Sequence, residues 1–275
     1  MTDPPRLPDL PALPALPALP DLPALPDLPP LPSIGPVTRR PPPGGARREW
    51  QTSTVREIRR ETPRMITLRL GLPAGGPHVP GQHLTVRLTA PDGYTASRSY
   101  SIASAPTDGS EIELAVDRLE GGEVSVYLHD ALEVGDPLEV RGPFGGWFVW
   151  NGSVPALLVG GGSGVVPLMS MLRHHRRAGL HVPLRLVVSV RSPDDLPFAG
   201  EYGPESTIIL TRRAPAGATR PAGRLVAADL RPLLLPGATA YVCGSAAFAE
   251  HASQLLVELG MPAASVRVER YGPTG

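Results

Sequence analysis

Ala156-Leu157-Leu158-Val159-Gly160-Gly161-Gly162-Ser163-Gly164-Val165-Val166-Pro167 is the stretch that decides the fold. A short run with no polar face reads as a strand covered on both sides. The glycine cluster then turns the chain into a helical stretch that runs to Arg177. Free amides at a helix start, backed by the positive end of the helix dipole, hold a phosphate or pyrophosphate, and glycines let the ligand approach the backbone. Pro167 fits, because a first-turn amide has no helical partner to lose. The spacing is not GxGxxG, since Val165 stands where the third glycine would be.

Downstream, apolar runs at 184–190, 208–211, 240–243 and 266–269 alternate with helical segments at about 246–259 and around 224–230. That alternation predicts an α/β domain with a parallel sheet, whose ligands bind at the carboxyl ends of the strands. Upstream the rhythm differs. Segments 52–60, 65–70, 83–89, 97–103, 111–118 and 137–141 alternate apolar and polar residues between Pro/Gly turns, and one short helix, about 123–131, follows Gly121-Gly122. Six short strands in this space predict an antiparallel barrel. The domains are then a tail and linker over 1–48, a barrel over 49–147 and an α/β domain over 148–275.

The tail repeats Leu-Pro every third residue from Leu7 to Leu31. Proline at that spacing forbids helix and central strand, and polyproline II would align the leucines along one edge of a rod reaching roughly 80 Å. The strip is either a docking element for a groove-bearing partner or a semi-rigid spacer.

Composition excludes several functions. The 26 basic residues are all arginine and balance 26 acidic ones, so there is no basic excess to hold nucleic acid and no lysine for a Schiff base or a GxxxxGK[ST] loop. Cys243 stands alone, which rules out an intramolecular disulfide, a CxxC pair and a four-thiolate cluster. No run of about 20 apolar residues predicts membrane insertion and no signal peptide opens the chain, so the expected location is cytoplasmic. His78, His83, His129, His181 and His251 show no metal-ligand spacing, and His174-His175-Arg176-Arg177 reads as a solvated helix face.

Three segments in order resemble the ferredoxin–NADP reductase superfamily: Arg98-Ser99-Tyr100-Ser101 its RxYS motif, Gly160 to Pro167 its GGxGxxP turn, and Cys243-Gly244 its CG motif. The ending Glu269-Arg270-Tyr271-Gly272-Pro273-Thr274-Gly275 resembles the family's ERFGPTG terminus. The resemblance covers the chain from Trp50 on. It implies an antiparallel Greek-key flavin-binding barrel followed by a Rossmann-like parallel-sheet NAD(P)-binding domain.

It also implies roles. Arg98 pairs with flavin phosphate, Tyr100 lies along the flavin, and Ser101 sits near the atom that receives hydride. Gly122, Val124 and Ser125 form a second pyrophosphate cradle at the start of the barrel helix. Gly161, Gly162, Ser163, Gly164 and Pro167 form the nucleotide turn, and Cys243-Gly244 ends a strand under the nicotinamide, where it packs and positions. Glu269 and Tyr271 close the site. Ser101, Cys243 and Glu269 are thus the catalytic candidates, with no metal. Ser189 with Arg191, and Thr211, Arg212 and Arg213, match positions that hold an adenosine 2′-phosphate. The implied cofactors are FAD, with FMN less favoured, and NADPH as donor, with NADH possible.

The resulting expectation is a flavin-dependent NAD(P)H oxidoreductase that passes electrons to a separate ferredoxin, haem protein or metallo-oxidoreductase. Alternatives are a flavin reductase that releases reduced flavin, and a non-catalytic interaction protein using the Leu-Pro tail.

Overall fold

A computed structural model describes residues 49–107 and 109–271. The Leu-Pro strip, with its expected docking role, and residues 272–275 lie outside them.

The alternating segments form β1 (Gln51–Arg60), β2 (Met65–Gly71), β3 (His83–Thr89), β4 (Thr95–Ser101), β5 (Glu111–Asp117) and β6 (Pro137–Phe144). They pair antiparallel in the order β4-β3-β6-β1-β2-β5. The sheet curls until Ile102 bridges Leu114, and the Ala103 N–H donates to the Glu113 carbonyl at 2.7 Å. Inward positions such as Val55, Leu68, Val86, Leu114 and Val140 are fully buried and fill the interior. Helix α1 (Glu123–Asp130) presses Val124 and Leu128 into the same core.

The second half contains β7 (Ala156–Gly161), α2 (Val165–Arg177), β8 (Leu184–Val190), β9 (Ser206–Leu210), α3 (Ala227–Leu230), β10 (Thr239–Ser245), α4 (Ala246–Glu258) and β11 (Val266–Tyr271). Its strands are parallel in the order β11-β10-β7-β8-β9. One face packs on α2 through Leu158, Leu168, Met169 and Leu172, the other on α4 through Val159, Val242, Ala249 and Leu256. Two covered faces explain why these strands carry no alternation.

Several boundaries differ from expectation for physical reasons. β7 runs through Gly160 and Gly161, because their backbones pair in register with Val188 and Ser189 of β8. β4 begins and ends two residues early: its hairpin with β3 starts at Thr95 opposite Thr89, and Ile102 leaves β3 to close the barrel. The helix expected around 224–230 shortens to the single turn of α3. The pair His174-His175 is not a solvated face. Their rings lie 6.3 and 6.1 Å from the ring of Trp150, which is 1% exposed, and a His175 Nε2–Val182 carbonyl hydrogen bond spans 2.8 Å.

Candidate functional site

β7 ends in the glycine cluster, a single 3-10 turn over Gly162–Gly164 follows, and α2 begins at Val165. Glycine is required here for two reasons. Gly162 sits at φ +57°, and a Cβ on Gly164 would lie 2.3 Å from the Cys243 carbonyl oxygen. No side chain caps this turn or the start of α2. Orphan amides therefore face a cleft of about 360 Å³ between the barrel and the carboxyl ends of the parallel strands.

The cleft brings together Gly161, Gly162, Ser163, Arg191, Thr211 and Tyr271, with Ser189 beside them. Tyr271, the last residue of β11, donates its hydroxyl to the Gly161 carbonyl at 2.6 Å and so lies across the turn. Arg212 and Arg213 are exposed and do not line the cleft, and Arg213 is ion-paired with Asp194. Gly164 packs on the Cys243–Gly244 backbone behind the turn, Pro167 sits in the first turn of α2, and none of these or Glu269 lines the cleft. Cys243 pairs in register with Gly160 on one side and Glu269 on the other.

Burial pushes the Cys243 thiol up and the neighbouring Glu269 carboxylate adds to this, so the thiol stays protonated at neutral pH. Glu269 Oε2 is buried without a hydrogen-bond partner, and burial raises that carboxyl above 4.5. The folded chain therefore binds this proton more tightly than the unfolded chain. Folding loses that advantage as pH rises past the unfolded value. Glu269→Gln is expected to melt about 2 °C or more above the parent at pH 7, a gain that vanishes near about pH 4. Thermal melts at the two pH values check this, and an equal shift at both rejects it.

Arg98, Tyr100 and Ser101 lie on β4, the edge strand of the barrel sheet, and do not line the cleft. The Arg98 guanidinium is exposed and, among the described residues, donates only to the adjacent Ser97 carbonyl, at 2.7 Å. Tyr100 packs its ring on the barrel core, and burial raises its hydroxyl pKa against the opposing charge of Arg98. Gly122 is the N-cap of α1, where no side chain satisfies the first-turn amides. The Ser125 hydroxyl is already engaged: it donates to the Gly122 carbonyl at 3.3 Å and accepts the Leu119 N–H at 3.2 Å. The Val124 side chain is core, so only backbone groups of Gly122, Val124 and Ser125 remain for a ligand. Two uncapped, glycine-led helix starts, one on each half, fit two pyrophosphates.

Sequence reasoning missed part of the cleft wall. Thr62 and Arg64 from the β1–β2 turn, Met65 at the start of β2, Asp117 at the end of β5, Asp195, and Phe248 at the start of α4 also line it. Arg64 Nε is 3.6 Å from Asp117, yet burial holds that carboxyl above 3.8. None of these belongs to a motif; only the position of Asp117 at a strand end could have drawn notice. Among the described residues there is no cluster of three metal-binding side chains, and no helix is long and apolar enough to cross a membrane.

Comparison with known proteins agrees with this geometry. The family model for the oxidoreductase FAD-binding domain matches residues 53–149. The chain is 31% identical over 233 residues to the ferredoxin–NAD(P)(+) reductase component of the naphthalene 1,2-dioxygenase/salicylate 5-hydroxylase systems of Ralstonia sp, covering 81% of this chain and 69% of that one. It is 36% identical over 209 residues to ferredoxin–NADP reductase B of Sorangium cellulosum, covering 70% and 84%. Some other matched reductase components are longer, and the chain spans 44% of one and 33% of another. The crystal structure of the flavohaem-like FAD/NAD-binding domain of nitric oxide dioxygenase from Vibrio cholerae superposes with a TM-score of 0.73 at 24% identity, covering 81% of this chain and 99% of that one, which establishes the shared fold. Two relatives above 30% identity, each matched over more than two thirds of its length, leave one conclusion: the chain belongs to the ferredoxin–NADP reductase superfamily.

Proposed function

We propose that the protein takes hydride from NAD(P)H onto a bound FAD and delivers the electrons to a separate acceptor protein. The observation that carries this reading is the pair of uncapped, glycine-led helix starts, Gly122 on the barrel and Gly162–Gly164 on the parallel sheet. Flavin supplies the chemistry of accepting a hydride and releasing electrons singly. The chain binds, orients and excludes water.

In this reading Arg98 offers a guanidinium to flavin phosphate, Tyr100 supports the ring, and Ser101 presents a polar group at the reacting edge. Gly161, Gly162, Ser163 and Gly164 receive the nucleotide pyrophosphate, with Pro167 fixing the first turn of α2. Cys243 and Gly244 form the floor beneath the nicotinamide, and Glu269 and Tyr271 close it. The functional division falls at 49–147 for flavin and 148–275 for nucleotide. Relatives that are reductase components of oxygenase systems point to a ferredoxin or an oxygenase as acceptor. A nicotinamide donor fits a cytoplasmic location.

NADPH is the preferred donor in this reading. Arg191 and Thr211 line the cleft, whereas Arg213 is ion-paired with Asp194, so Arg191 is the arginine of this group placed to meet a 2′-phosphate. Arg191→Ala should weaken NADPH by about tenfold or more, the size of a charge-assisted hydrogen bond, and NADH by less than about threefold. Steady-state kinetics with both donors check it, and equal losses would remove the assignment.

The deciding experiment is an anaerobic visible spectrum of the purified protein before and after stoichiometric NADPH, then NADH. An oxidised-flavin band that bleaches on addition supports the reading. A colourless protein that takes up no added flavin overturns it.

A further inference from the structure

The segment after β8 has two ends with different duties. Arg191 and Asp195 line the cleft, while Phe198 is fastened to the barrel and Glu201 to α2. Phe198 is the one non-glycine residue among those described with positive φ, at 56°, and it is 2% exposed. A bulky side chain adopts that conformation only where its surroundings enforce it. Here they do. The Phe198 N–H donates to Glu61 Oε2 in the β1–β2 turn at 3.0 Å, across 137 residues of sequence. Its ring lies 5.0 Å beneath the Arg173 guanidinium.

Arg173, on α2, is the centre of the fastening. Its Nε donates to Glu201 at 2.8 Å, and Nη1 donates to Glu113 of β5 at 2.6 Å and to the Ala103 carbonyl at 2.9 Å. Ala103 is two residues beyond Ser101 of the flavin motif. One turn earlier on α2, the Ser170 hydroxyl donates to the Ser104 carbonyl at 2.6 Å. Arg59 joins Glu61 at 2.7 Å to Glu113 at 3.5 Å, so the carboxylates share two guanidinium groups. With side chains of Arg173 and Glu113 only 17% and 16% exposed, that pair is shielded from the screening that weakens surface ion pairs.

We propose that Arg173 and Glu61 are positioning residues for the nucleotide: they lock the 191–201 segment and α2 to the barrel beside the flavin strand, so that the cleft is preformed. The proposal rests on the reading above only in taking a nicotinamide nucleotide as the cleft's occupant. Neither residue lines the cleft, and each acts through the segment it holds.

The test uses the flavin-loaded full chain with Arg173→Lys and Glu61→Ala. Lysine keeps a charge beside Glu113 but cannot reach Glu113, Ala103 and Glu201 together, because it lacks the planar fork. Two readouts are independent of turnover: calorimetric Kd for the oxidised nucleotides NADP+ and NAD+, and amide hydrogen exchange over 191–202. Each variant should retain its flavin, weaken nucleotide by about five- to tenfold, as the loss of one or two ordering hydrogen bonds implies, and exchange faster across that segment. The double variant should fall short of the product of the two single effects. Unchanged Kd with unchanged exchange in both variants overturns the proposal, as does a loss of flavin with nucleotide affinity intact. If the parent binds neither nucleotide, the proposed reaction fails, and the exchange readout still decides the lock. Should Glu61→Ala fail to fold, Arg173→Lys decides alone.

Discussion

Gly164→Ala lowers the unfolding midpoint by roughly 2–12 °C and abolishes nucleotide binding, the converted cost of forcing one methyl into a packed interior. The added Cβ would meet the Cys243 carbonyl oxygen at 2.3 Å and the Gly244 amide nitrogen at 2.7 Å. Both are backbone atoms of β10, which is hydrogen-bonded to β7 on one side and β11 on the other, so no side chain can swing away. The strain is relieved only by lifting the glycine turn off β10, which displaces the amides that face the cleft. A circular-dichroism melt and a calorimetric NADP+ titration measure the two effects together. A variant that melts with the parent and binds nucleotide equally would show that the turn has slack which this packing denies.

Arg98→Ala is expected to lose flavin while leaving the protein scaffold as stable as the parent. Among the described residues the guanidinium makes one hydrogen bond, to the neighbouring Ser97 carbonyl, and has no ion-pair partner. Deleting it removes nothing that the fold uses. A guanidinium contact to a phosphate is worth about 1.5–3 kcal/mol, so flavin retention should fall by about ten- to a hundredfold. The ratio of visible to ultraviolet absorbance after gel filtration reports retention, and the melt of flavin-free protein reports the scaffold. A flavin-replete Arg98→Ala protein sinks the assignment.

The two predictions contrast what a sequence shows and what it hides. Strands β1 and β3 were legible because their outer face is wet, so alternation survives in the residue order, whereas Met65 of β2 and Ala115 of β5 are buried against the second half. The covered strands of the second half were legible as unbroken apolar runs for the opposite reason. The glycine turn announced itself because its constraint is local. The Arg173 network did not: Glu61, Ala103, Glu113 and Glu201 come from four separate parts of the chain, and each glutamate reads alone as an ordinary surface residue. Asp117 and Arg64 were hidden in the same way, since their meeting depends on the pairing of β2 with β5, where Met65 stands opposite Asp117. Charges also misled. Arg213 reads as a free phosphate ligand until Asp194, nineteen residues earlier, is found beside it. His174 and His175 read as solvated because Trp150 lies some 25 residues away in the order yet against them in space.

β4 is unpaired along its outer side, and that has a consequence for handling the protein. An open strand edge invites other chains to pair with it, and proteins blunt such edges with charges or cover them. Here the edge is Thr95-Ala96-Ser97-Arg98-Ser99-Tyr100-Ser101, with a single charge. On the reading proposed above, the same strand is the seat of the flavin, which would cover it. Cofactor loss and self-association are then linked: preparations short of flavin should turn cloudy with rising concentration, and supplying riboflavin during expression should raise the soluble yield.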